Sequence, residues 1–140
     1  MKKPSKPIAG DVFRYPFLWK RQQLAGETAG RKSRPVCIAV TTAAREGETI
    51  LFIVAITTKP PQAGRAAIAV PQIEAKRIKL DAHAESWIML DEVNTDVLER
   101  SYTFEDRTPL GSFSPAFTTK VRAQLLALAE RGEVVVIKRT

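Results

Sequence analysis

The chain contains a single cysteine, Cys37, and a single histidine, His83. One thiol cannot close an internal disulfide, and the two residues together cannot build a structural zinc site. Cys37 lies within an apolar run, so it reads as a reduced core thiol of a cytoplasmic protein rather than as a reactive nucleophile. No apolar stretch approaches the roughly 20 residues of a membrane helix, so no membrane is expected among the partners. The opening "MKKPSKPIAG" is basic, but no long apolar segment follows it. It therefore reads as a flexible arm over residues 1–9 and not as a secretory signal. There is no glycine-rich phosphate loop, and no metal or cofactor is called for. A Ser–His–Asp triad would have to use His83, in "LDAHAES", which reads as a solvent-facing loop.

What the chain has in excess is positive charge. Its net charge is +7 over 140 residues. Residues 1–34 carry nine basic side chains against Asp11 and Glu27, and the remaining residues balance. Charge concentrated in this way is the footprint of a polyanion partner, although a solvated basic tail has the same composition.

At 44% hydrophobic the chain can bury one core, and residues 10–140 read as one domain. "DVFRYPF" reads as a short edge strand that ends near Pro16. Residues 18–34 read as a long polar loop. "PVCIAVTT" and "TILFIVAIT" read as strands, the second central. "TKPPQAGR" is a loop, "AAIAV" a short strand, and "PQIEAKRIKL" a short helix opened by Pro71. "SWIMLDEVN" reads as one strand, and "RSYTF" marks an ambiguous stretch. Ser114 and Pro115 open the clearest helix, with Phe117, Val121, Leu125 and Leu128 on one face and Gly132 as its stop. "EVVVIK" closes as a strand. Short strands followed by a late helix predict a mainly β, α+β domain, a small twisted sheet or partial barrel with antiparallel pairing.

Polar groups at strand ends are the candidates for chemistry. Arg34 precedes a proline, so its backbone is held extended and its side chain is directed over the sheet. Thr57 and Thr58 end an apolar strand, and Asp91, Glu92 and Asn94 end another. A guanidinium, a hydroxyl and a carboxylate on one rim suit phosphodiester chemistry: the carboxylate takes a proton from a ribose 2′-OH, and the arginine stabilises charge on the phosphorus oxygens. An Arg34–Asp91 ion pair with no catalytic role fits the same residues.

"GDVFRYPF", "RPVCIAV", "FIVAITT" and "WIMLDEVNT", in this order, resemble the MazF/PemK family of toxin endoribonucleases, and the PemK-like subgroup most. The resemblance implies an SH3-like barrel with a C-terminal helix, usually a homodimer. It implies metal-independent cleavage of single-stranded RNA by 2′-OH attack, with Arg34 and Thr57 as the central pair and Asp91 or Glu92 as the base. Lys20, Arg21, Arg31 and Lys32 would then steer RNA, with Trp19, Thr58 and Asn94 beside it. An acidic antitoxin, disordered until bound, would silence the site. Asn94 stands where many members have an arginine, and the first loop lacks a histidine that some members use. Those two features favour a non-catalytic module such as a topoisomerase inhibitor, and the basic N-terminal segment favours an RNA-binding domain with Trp19, Phe13 and Tyr15 as stacking surfaces.

Overall fold

In the computed structural model, residues 6–30, 32–80 and 84–140 are described. Two long apolar strands set the centre. β2 (Arg34–Ala43) and β3 (Thr49–Thr57) pair antiparallel, with Val36 opposite Ala55 and Thr42 opposite Ile50. Their β-branched residues favour the pleated conformation. The turn between them passes through Glu46 and Gly47, both at positive φ (64° and 75°). β1 (Asp11–Tyr15) adds to the outer side of β2, and the two-residue β7 (Gly111–Ser112) borders β1.

Beyond β3 lie β5 (Trp87–Met89), beside its C-terminal end, and β6 (Glu92–Val97), beside its N-terminal half. The single strand expected over 86–94 is thus broken at Leu90–Asp91, and its second part runs on to Val97. β4 (Ala67–Ala69) borders β5, and β8 (Val135–Lys138) borders β6. The described strands form one eight-stranded sheet that does not close into a barrel. Pairing is antiparallel as expected, except between β6 and β8, which run parallel. α3 (Pro115–Glu130) intervenes before β8 and reverses the direction in which the last strand enters.

The expected helix after Pro71 is α2 (Gln72–Arg77), and α3 has the predicted cap: Ser114 Oγ accepts from Phe117 N at 3.2 Å. "RSYTF" forms no strand; residues 98–100 make a 3-10 turn instead. Among the described residues no helix is long and apolar enough to cross a membrane.

Both faces of the sheet are buried, which is why β2 and β3 read as unbroken apolar runs and not as alternating ones. One face sets Cys37, Val54, Ile56 and Ile88 against Phe117, Val121, Leu125 and Leu128 of α3. Burial stabilises each of these large side chains by about 1.5–3 kcal/mol. The other face sets Phe13, Tyr15, Val36, Ile38, Leu51 and Ile53 against Phe17, Leu98 and Phe104. Cys37 is fully buried, and burial pushes its thiol up to about 12. Residues 1–5 of the expected arm lie outside the described residues. Residues 6–9 are not free of the domain: Pro7 is buried and Lys6 pairs with Glu99 at 3.6 Å.

Candidate functional site

The site begins with a row of polar side chains on β6. Glu92, Asn94 and Asp96 alternate along the strand, so they share one face. Each reaches across to the segment 15–20. The Asp96 carboxylate accepts from Tyr15 Oη at 2.8 Å. Asn94 accepts from Leu18 N with its Oδ1 and donates to Leu18 O with its Nδ2, both at 2.8 Å. Glu92 Oε1 accepts from Lys20 N at 2.6 Å. Arg139, just past β8, donates to Pro16 O and to Asn94 Oδ1 at 2.8 and 2.9 Å, and lies over the Tyr15 ring. Burial, then the Asp96 charge, raise the Tyr15 hydroxyl well above its ordinary range. The row thus directs its hydrogen bonds to the protein's own backbone and side chains.

The row holds α1 (Lys20–Leu24), a five-residue helix within the stretch expected to be loop. Nothing apolar and periodic announces it. Its start is set by side chains: Glu92 of β6 accepts from Lys20 N, and the helix's own Gln22 accepts from Trp19 N through Oε1 at 3.2 Å. With Leu18 clamped on both its polar groups, Trp19 is fixed against Phe17, ring centroids 4.7 Å apart. Gly30 serves the same segment: a Cβ there would overlap the Pro16 carbonyl, so only glycine lets the chain cross Pro16 on its way to Arg34.

Trp19 in turn supports Arg34, whose guanidinium lies over the indole at 5.4 Å from the ring centroid. β2 begins at Arg34 and β3 ends at Thr57, so the two residues stand at the same end of the antiparallel pair. Arg34 is half-buried, its Nε is buried without a partner, and among the described residues no carboxylate pairs with it. Burial, and then repulsion from Arg21, pull the guanidinium below the ordinary arginine range. An arginine stays charged under such a shift, so a half-buried cation is left without a counter-charge. Thr57 Oγ1 accepts from Lys59 N at 3.1 Å and keeps its own proton to donate.

These residues line an open groove of about 740 Å³. Trp19, Lys20, Arg21 and Leu24 form one wall; Thr58, Lys59, Pro60, Pro61, Gln62 and Arg65 form the other. Lys32, Arg34, Thr57 and Glu92 are also among its lining residues. No family model matches the chain, and no curated protein matches it. The groove must therefore be read from its own chemistry.

The opposing wall carries a residue that sequence reasoning missed. Arg65 donates from Nε to Asp91 Oδ2 at 2.5 Å, and from Nη2 to Asp91 Oδ1 and Glu92 Oε2, both at 2.9 Å. These bonds, Asp91 first, raise the Arg65 guanidinium above its ordinary range. Adjacent strand residues normally point to opposite faces. The break between β5 and β6 at Asp91 is what lets both carboxylates reach one guanidinium. The available signal was the adjacent pair Asp91–Glu92 itself, which in a half-buried strand demands a cation.

The groove thus gathers Trp19, Lys20, Arg21, Lys32, Arg34, Thr57, Thr58 and Glu92 from among the candidates. Asp91 is not among its lining residues, and its ion pair is with Arg65 and not with Arg34. Asn94 is fully buried and its amide is engaged by Leu18 and Arg139, so it does not reach the groove. Phe13 and Tyr15 are core residues, 2% and 1% exposed, and offer no stacking surface. Arg31 and His83 lie outside the described residues.

Proposed function

We propose that the groove binds single-stranded RNA and cleaves it, as the resemblance to the MazF/PemK toxins implies. The observation that supports this most is Arg34: a half-buried cation without a counter-charge among the described residues, stacked on Trp19 in a groove that Thr57 also lines. An anion is the partner that such a group lacks. An open basic groove with an aromatic in its wall suits a single strand, because phosphates meet cations while a base meets a ring.

In this reading the ribose 2′-oxygen attacks the neighbouring phosphorus and the bond to the 5′-oxygen breaks. Glu92 takes the 2′-hydroxyl proton, and the leaving 5′-oxygen gains one from water. Arg34 and Thr57 donate to the phosphoryl oxygens as charge builds on them. Products are a 2′,3′-cyclic phosphate and a 5′-hydroxyl, with no metal ion or cofactor required. The open sheet is then the counterpart of the family's SH3-like barrel. A second copy of the chain and an acidic inhibitory segment laid over the groove belong to the same proposal.

One observation favours a second reading. Both carboxylates near the groove, Asp91 and Glu92, are held by Arg65, which leaves no unpaired base beside Arg34 among the described residues. A groove that binds RNA without cutting it fits that arrangement. Incubation of the purified protein with mixed-sequence RNA in EDTA, with mapping of the ends, decides between them. Cleavage with cyclic-phosphate ends is expected. Binding without cleavage would establish the second reading, and cleavage only with added Mg²⁺ would overturn the mechanism.

A further inference from the structure

Glu92 bridges the two walls of the groove. Its Oε1 accepts from Lys20 N on the α1 side, and its Oε2 accepts from Arg65 on the lip formed by residues 58–65. Asp91 holds the same guanidinium through two further bonds. The side chain of Arg65 is nevertheless 34% exposed, against 19% for Asp91 and 14% for Glu92. The cation therefore faces the groove more openly than either of the anions holding it.

We infer that Arg65 is an exchangeable phosphate ligand, held by Asp91 and Glu92 in the free protein and turned to a substrate phosphate when a strand enters. The inference rests on the groove being a single-strand site. Its physical basis is the geometry of the fork. Nε and one face of Nη2 are occupied by Asp91, and the bond to Glu92 is a single contact from Nη2. Arginine carries five N–H donors, and three bonds leave two free. A phosphate beside the lip meets those two donors first and then competes with Glu92 for Nη2. The Asp91 bonds keep the guanidinium in place during the exchange. The swap has two effects. It adds a second phosphate ligand to the one at Arg34, and it leaves Glu92 Oε2 free inside the groove. The carboxylates thus act as a built-in competitor of the strand, and the groove's only lining carboxylate among the described residues is released by the strand itself.

The test uses a single-stranded 2′-deoxy oligonucleotide, which binds through phosphates and bases but has no 2′-hydroxyl to attack. Its affinity is measured against salt for the intact chain and for Arg65→Gln, Glu92→Gln and Asp91→Asn, with melting curves as the control for folding. Arg65→Gln should flatten the slope of log affinity against log salt by about 0.7, the share of one phosphate neutralised on a single strand. Glu92→Gln keeps the acceptor for Lys20 N and removes the competing charge, so it should bind several-fold more tightly. Asp91→Asn should do the same to a smaller degree. If Arg65 were only a brace between the walls, both carboxamide variants would bind more weakly and Arg65→Gln would leave the slope unchanged; either result overturns the exchange. If the intact chain binds no single strand at any salt concentration, the reading of the groove fails, and the exchange fails with it.

Discussion

Two polar regions lie side by side in this molecule and differ in one respect. Along β6, Glu92, Asn94 and Asp96 meet partners for their polar groups within the protein. In the groove, Arg34 meets no counter-charge among the described residues, and its Nε has no partner. The first region is a clamp that sets the position of residues 15–20. The second is the place where that positioning is used, because Trp19 carries the guanidinium. Polarity alone therefore says little about function. A satisfied buried network rigidifies the fold, whereas the half-buried Arg34, whose Nε has no partner, is where the proposed strand would bind.

That contrast can be broken most sharply at Arg34. Arg34→Ala should lower the cleavage rate by about 10²–10³ while the melting temperature stays within a few degrees. Full activity in a folded Arg34→Ala chain would remove Arg34 from the site. On the other side, Asn94→Ala should cost about 3 kcal/mol in urea unfolding, since Leu18 N–H and C=O are left without their partner inside the protein. A cost near zero would mean that the clamp does not hold the segment. A milder change, Tyr15→Phe, removes one bond to a carboxylate and should cost about 1.5 kcal/mol.

The same substitution sharpens the comparison with pH. The folded Tyr15 hydroxyl titrates above the unfolded value of 10.0. Its contribution is whole below pH 10 and is lost as pH rises beyond that, because the unfolded chain gives up the proton first. Stability of the intact chain should fall more steeply above pH 10 than that of Tyr15→Phe, as followed by chemical denaturation. The smallest effect belongs to the rim. Replacing Lys20, Arg21 and Lys32 by glutamine should weaken RNA binding only a few-fold near physiological salt. It should flatten the salt slope by about 0.7 for each phosphate that no longer meets a cation. An unchanged slope would place the strand elsewhere.

The parts legible in the sequence were those decided locally. β3 spans Thr49–Thr57 as read, because nine residues of apolar, β-branched character have one way to be buried. α3 followed from Ser114, Pro115 and an apolar face that all agree. α1 was not legible, since the bond to its first residue comes from Glu92, 72 residues further on, and its own residues carry no apolar pattern. The parallel β8 was hidden for a similar reason: nothing in "EVVVIK" says which neighbour it meets or from which end. At the groove, Arg34 and Thr57 were picked out by their places at strand ends. Arg65 does not stand out in the sequence, because it sits in a proline-rich loop whose partners lie 26 and 27 residues further on.

The bond from Arg139 to Pro16 joins residues 123 apart in the chain. During synthesis at about 5–20 residues per second, roughly 6–25 s separate the appearance of those two partners. Throughout that interval the segment 15–20 exists without the strand pair β6–β8 that fastens it, and Trp19 has no fixed place from which to support Arg34. The groove is thus among the last features of the molecule to mature. Until β8 has docked, the order of translation leaves Trp19 and Arg34 without their final support.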